Sequence, residues 1–133
     1  MRATVRLLIS LVLLSVPVIN TPLSLAQGQI AVQKKISLSR GKTKTLRGRA
    51  DSFTSYVYKF RAEKGRSLQA RVSSEGGTAT FSIVPPGTQI LGNAAGVKEW
   101  SGTLTESGVY SVIVAMNSTA DTRTPYTLEL TLQ

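Results

Sequence analysis

Neither cysteine nor histidine occurs among the 133 residues of this chain. The first absence rules out a disulfide, a thiolate nucleophile and lipid attachment through a cysteine. The second removes the side chain that most often serves as a general base or transition-metal ligand. Acidic residues are also few: Asp51, Glu63, Glu75, Glu99, Glu106, Asp121 and Glu129. Nearly all fall in predicted turns or on outward strand positions, where carboxylates solubilise a surface. Glycoside hydrolysis needs two carboxyls at a fixed spacing across a cleft, and the sequence leaves open only Glu99 with Glu106 or with Asp121. These gaps favour a binding or inhibitory protein over an enzyme, and no cofactor or metal is expected.

A long apolar run is missing as well. Arg2 and Arg6 precede an apolar stretch over residues 7–19, interrupted by Pro17 and followed by Thr21-Pro22-Leu23-Ser24-Leu25-Ala26. The stretch falls short of the roughly 20 apolar residues that span a bilayer. Its charged, apolar and small-residue order is that of a secretory signal peptide, with cleavage predicted after Ala26. Residues 27–133 then form one domain with no membrane span in the mature protein, and a secreted or periplasmic location follows. With no disulfide to staple it, such an exported domain depends on packing and sheet hydrogen bonds.

Basic residues, by contrast, are plentiful. Without Arg2 and Arg6, 14 basic residues stand against 7 acidic ones, a net charge of +7. That balance favours anionic partners such as a cell-envelope polymer or an acidic enzyme cleft. Nucleic acid is not expected, because the chain is exported and carries no nucleic-acid-binding motif. Half of the mature positive charge is concentrated in Lys34, Lys35, Arg40, Lys42, Lys44, Arg47 and Arg49. In an extended chain Arg40, Lys42 and Lys44 share one side and Arg47 and Arg49 share another, giving a candidate basic stripe of Lys42, Lys44, Arg47 and Arg49. The competing reading is an edge strand protected by cations against further pairing.

From about residue 30 the chain alternates apolar and polar residues in runs of five to nine, separated by turn signals. Tyr56, Tyr58, Phe60 and Ala62 share one face of a strand, with Lys59 and Arg61 on the other. A turn at 63–66 leads to Leu68, Ala70 and Val72, and Glu75-Gly76-Gly77 turns the chain into Ala79, Phe81 and Ile83. Pro85-Pro86-Gly87 ends that strand, since proline cannot donate to a ladder. Residues 88–97 read as a mobile loop. Trp100, Gly102 and Leu104 then share a face, which points Trp100 toward the core, although a tryptophan directly after Lys98 and Glu99 also suits a sugar-stacking platform. Residues 110–116 are apolar on both faces and predict a central strand. Tyr126, Leu128, Leu130 and Leu132 give the last inward set. With weaker strands near 30–38 and 42–49, about eight strands are predicted, in an all-β antiparallel sandwich or jelly-roll-like fold. Asn117-Ser118-Thr119 matches a glycosylation sequon.

Several of these segments occur together elsewhere. Tyr58-Lys59-Phe60 through Gly65 and Leu68, Phe81-Ser82-Ile83 with Pro85-Pro86-Gly87, 100–104, Ser107-Gly108-Val109-Tyr110 and Tyr126-Thr127-Leu128 resemble the bacterial prepeptidase C-terminal (PPC-like) β-sandwich domains. They are similar also to the periplasmic inhibitors of g-type lysozyme, and the resemblance covers most of residues 45–132. It implies a β-sandwich and a lysozyme-like protein as an alternative partner to the anionic polymer. In such inhibitors a Ser-Gly-x-Tyr loop and a basic loop approach the enzyme's cleft. Ser107, Gly108 and Tyr110 match the first loop; in the second, residues 116–125, Arg123 is the one cation where an arginine-rich stretch is the pattern.

Overall fold

The computed structural model describes residues 30–87, 89–116 and 123–133. The predicted signal segment, the sequon at 117–119 and Asp121 lie outside them. Eight strands follow in chain order: β1 (Ile30–Lys35), β2 (Thr43–Ala50), β3 (Thr54–Ala62), β4 (Ser67–Ser74), β5 (Ala79–Val84), β6 (Glu99–Thr103), β7 (Gly108–Met116) and β8 (Thr124–Leu132). The turn read at Glu75-Gly76-Gly77 is a single 3-10 turn, with Gly76 at φ 73°. Among the described residues no helix is long and apolar enough to cross a membrane.

The strands form two four-stranded sheets, ordered β1-β3-β7-β5 and β2-β8-β4-β6, so the fold is an all-β sandwich. Neighbours pair antiparallel except β1, which lies parallel to β3. β7 is central, as its apolar character on both faces predicts. Period-two alternation sorts each strand: Tyr58, Phe60 and Ala62 from β3, Phe81 and Ile83 from β5, Val112 and Val114 from β7, and Leu128, Leu130 and Leu132 from β8 are all buried between the sheets. β1 and β2 flank one side of the sandwich. Between them residues 36–42 cross from the first sheet to the second, with Ile36 and Leu38 packed on the core. The backbone N–H of Ile36 bonds Lys59 and that of Gly41 bonds Leu132.

The described part of the loop at 88–97, residues 89–97, is not the free segment its composition suggests. Phe81 and Val97 exchange backbone bonds of 2.8 and 2.9 Å, Ile83 donates to Ala94, and Leu91 donates to Ile83. Ala94 is buried in the core. Ala94 is small enough to be buried against β5, and Gly96 takes the left-handed conformation, at φ +58°, that turns the chain back to it.

Tyrosines join the two sheets beneath the β1/β2 side. The Tyr58 and Tyr126 hydroxyls hydrogen-bond each other at 2.5 Å, and the Tyr56 ring meets that of Tyr126 at 5.6 Å. Lys34 stands 5.7 Å over the Tyr56 ring. The Tyr126 ring also lies across Gly48 of β2: a Cβ there would meet its hydroxyl oxygen at 2.6 Å. Glycine is thus required at 48 by side-chain space, not by its own backbone.

Burial raises the pKa of both phenols, most strongly that of Tyr126. The folded state therefore holds these protons at a pH where the unfolded chain, with phenols near pKa ~10, releases them. Stability from this source is complete below pH ~10 and falls as pH rises above it. Urea denaturation at pH 8 and at pH 11 measures the fall, and Tyr58→Phe/Tyr126→Phe flattens it.

Candidate functional site

The register of the strands sends different turns to opposite ends of the sandwich. One end gathers the 36–42 crossing, the β3–β4 turn and the β6–β7 turn, while the other gathers the β2–β3 turn, the 3-10 turn and the start of β8. Ser107 and Gly108 belong to the first end and Arg123 to the second. The structure therefore separates residues that the sequence reading grouped as one contact loop set.

Three ties hold the β6–β7 turn. Ser107 Oγ accepts a 2.9 Å bond from the backbone N–H of Lys64, joining the turn to the β3–β4 hairpin. The Tyr110 hydroxyl donates to the Glu106 carbonyl at 2.6 Å and accepts from the Glu106 N–H at 3.3 Å. Bonding back four residues in this way is the logic of a tyrosine corner. Gly108 has φ +145°, and a Cβ there would meet Pro86 Cγ at 2.8 Å. The hairpin lies alongside, with Gly65 N–H donating to Leu104 O and Leu104 N–H to Arg66 O. A turn fixed at so many points presents one shape, which limits the entropy a partner must remove on binding.

Tyr110 itself is only 1% exposed and stacks on Phe60 at 5.9 Å. Its inclusion among the contact residues needs correction: the ring belongs to the core, and Tyr110 serves the turn by shaping it. Ser107 remains exposed and Gly108 half-buried.

This end is cationic. Lys64 and Arg66 stand in the hairpin, Arg61 lies opposite Val109 at the start of β7, and Arg40 and Lys42 come from the crossing segment, with Glu63 and Glu106 as the local acids. Arg66 is weakly engaged by Glu63 at 3.9 Å. Lys64, Arg66 and Arg61 escaped the sequence reading because 43 residues separate Lys64 from Ser107. A polar hairpin turn gives no sign of the turn it will meet.

The basic stripe divides. β2 is an edge strand, and its alternation turns Lys44 to the side of Leu46 and Ala50, with Nζ 3.4 Å from the Ser37 carbonyl. Arg47 and Arg49 project from the opposite, outer face of the β2-β8-β4-β6 sheet, with no ion-pair partner among the described residues. Lys42 precedes β2 at the cationic end. Arg123 stands 3.9 Å from Asp51, whose carboxylate also accepts the Phe53 N–H at 2.9 Å; that backbone bond leads the causes that lower the Asp51 pKa.

Nothing assembles a hydrolytic pair from Glu99 and Glu106. β6 separates them, and Glu99 is held by Arg71 Nε at 2.9 Å. Among the described residues no three histidine, cysteine or carboxylate side chains converge on a metal site. Trp100 is half-buried against the core, lies over Gly102 of its own strand and donates Nε1–H to Asn93 at 3.2 Å. Of the two readings of this residue, packing accounts for most of its surface.

No protein-family model and no curated protein sequence matches the chain. Solved structures do. The periplasmic inhibitor of g-type lysozyme from Aeromonas hydrophila, PliG, superposes with a TM-score of 0.65 over 79% of this chain and 99% of its own, at 20% identity. The Salmonella Typhimurium PliG gives 0.60 over 77% and 98%, also at 20% identity. The pre-peptidase C-terminal domain of the Bacillus anthracis collagenase gives 0.54 over 79% and 96%, at 17% identity. The chain thus has the PPC-like β-sandwich fold that these inhibitors share with a collagenase domain.

Proposed function

We propose that this chain is an exported, non-catalytic inhibitor of a peptidoglycan-cleaving lysozyme of the g-type kind, acting with the end of the sandwich that carries Ser107 and Gly108. The observation that carries the reading is the fixed β6–β7 turn set among Lys42, Lys64 and Arg66. A lysozyme works with carboxylates in a cleft. A rigid turn ringed by cations complements such a cleft in both shape and charge. The fold shared with the PliG inhibitors supports the same assignment.

The test is clearance of a peptidoglycan suspension by g-, c- and i-type lysozymes with and without the protein. Selective protection against one class is the expected result, and no protection against any class overturns the reading. Lys64→Ser with Arg66→Ser weakens inhibition on the order of tenfold at low salt, and salt narrows the difference because exposed charges are screened beyond about 8 Å at physiological ionic strength. Arg123→Ser, at the opposite end, leaves inhibition unchanged.

A second reading, binding of an anionic cell-envelope polymer, rests on Arg47 and Arg49, which face outward from an edge strand without ion-pair partners among the described residues. Co-sedimentation with peptidoglycan in the absence of lysozyme, lost on Arg47→Ser/Arg49→Ser, supports it. Co-sedimentation indifferent to both substitutions and to salt removes it and leaves those cations as edge protection.

A further inference from the structure

A sandwich of two open sheets has four edges, and three of these are closed to further pairing. The outer backbone groups of β5 are taken by residues 91–97. β1 carries Lys34 and Lys35, and β2 carries Lys44, Arg47 and Arg49, the charges that discourage another strand from docking. β6, of sequence Glu99-Trp100-Ser101-Gly102-Thr103, has no lysine, arginine or proline, and its single charge is neutralised by Arg71 of its own sheet.

Among the described residues β6 pairs with β4 alone. The bonds that bracket this ladder, Leu104 N–H to Arg66 O and Val72 N–H to Lys98 O, fix its phase. Antiparallel ladders alternate, so the even-numbered residues Trp100 and Gly102 bond to β4. The N–H and C=O groups of Glu99, Ser101 and Thr103 point to the free edge. Beside that edge runs a cleft of about 220 Å³ lined by Pro85, Leu91, Trp100, Gly102 and Leu104 among others, and Ile90 in the same loop is 48% exposed.

We propose that β6 pairs antiparallel with β6 of a second copy of this chain, about a two-fold axis through Ser101. The strand is complementary to itself in that register. Ser101 faces Ser101, and Glu99 faces Thr103, so no like charges oppose each other. Trp100 faces Gly102, over which the Trp100 ring of the same strand already lies, so the two indole rings come side by side across the axis. The free backbone groups fall into hydrogen-bonded pairs at 99/103, 101/101 and 103/99, about six ladder bonds, and the two β2-β8-β4-β6 sheets become one of eight strands. The apolar residues along the edge are covered in the same step. Antiparallel pairing sends the two Ser107 turns to opposite ends of the joined sheet, so each is free to meet its own partner.

The absence of cysteine makes the test direct, since a single introduced thiol is the only one present. Residues facing each other in a hydrogen-bonded pair have Cα atoms about 5.5 Å apart, within the roughly 4.4–6.8 Å range of disulfides. Ser101→Cys forms a covalent dimer on mild oxidation at concentrations where Thr45→Cys, on the same sheet face at β2, stays monomeric. Sedimentation of the unmodified protein over a concentration series shows a monomer–dimer equilibrium. Ser101→Pro removes only an N–H aimed at the free edge and abolishes the dimer. If that variant does not fold, Ser101→Lys sets two ammonium groups against each other on the axis and abolishes it equally. A protein monomeric throughout the series, equal cross-linking of the two cysteine variants, or a dimer that survives Ser101→Lys overturns the proposal.

Discussion

Tyr110→Ala lowers the free energy of unfolding by about 3–5 kcal/mol, the usual cost of emptying a large buried aromatic site. The ring is 1% exposed, fills the space against Phe60 and anchors the Glu106 backbone, so three contributions vanish together. Loss of lysozyme inhibition by this variant is uninformative, because the β6–β7 turn loses its scaffold with the core. Tyr110→Phe separates the two roles. It keeps the ring and deletes only the hydroxyl, at a cost of about 1–2 kcal/mol, and leaves both Glu106 backbone groups to find water. Denaturant unfolding gives the stability change, and amide exchange across 104–108 reports whether the turn has loosened. Inhibition that falls in the folded Phe variant assigns Tyr110 to shaping the turn. Full inhibition from a loosened turn shows that its rigidity is dispensable.

The second large effect belongs to the hydroxyl pair between the sheets. Tyr126→Phe strands the buried Tyr58 hydroxyl, and Tyr58→Phe does the same to Tyr126. Each single change costs about 1–3 kcal/mol, the penalty of a buried polar group without a partner. The double change removes both hydroxyls and leaves an apolar aromatic contact, so its cost lies well below the sum of the singles. A double-mutant cycle by urea denaturation at neutral pH measures the difference. Strict additivity excludes any coupling through this bond and reassigns the single-mutant losses to the packing of each ring.

Faces and turns were legible in the sequence because they are local. Alternation over residues 56–62, 79–83 and 126–132 predicts inward sets that the sandwich buries, apart from Tyr56, which is partly buried and packed against the core. Pro85 and Gly65 marked the ends of their strands for reasons contained in their own backbones. Pairing partners were not legible, since a period of two distinguishes the sides of a strand and is silent on its neighbours. The parallel placement of β1 beside β3 has no signature in either segment. The candidate site divides in the same way. Ser107 and Gly108 announced a turn, but the cations around it come from segments far away in the chain. Arg123, near in sequence to β8, ends up at the wrong end of the sandwich to join them. Tyr110 is ambiguous in the sequence because an aromatic two residues after a turn glycine suits both a contact loop and a core. Burial of the ring against Phe60 and the bond back to Glu106 decide between them.

Gly48 and Tyr126 constrain each other's replacement as well as the shape of the seam. They lie on neighbouring strands, and the ring of one occupies the room that any side chain at the other would need. Natural variation can therefore enlarge position 48 only in a lineage where position 126 has already lost its ring. Once 48 has grown, restoring tyrosine at 126 is closed off in turn. The pair thus imposes an order on change along this seam: the ring at 126 goes before position 48 grows, and position 48 returns to glycine before the ring is restored.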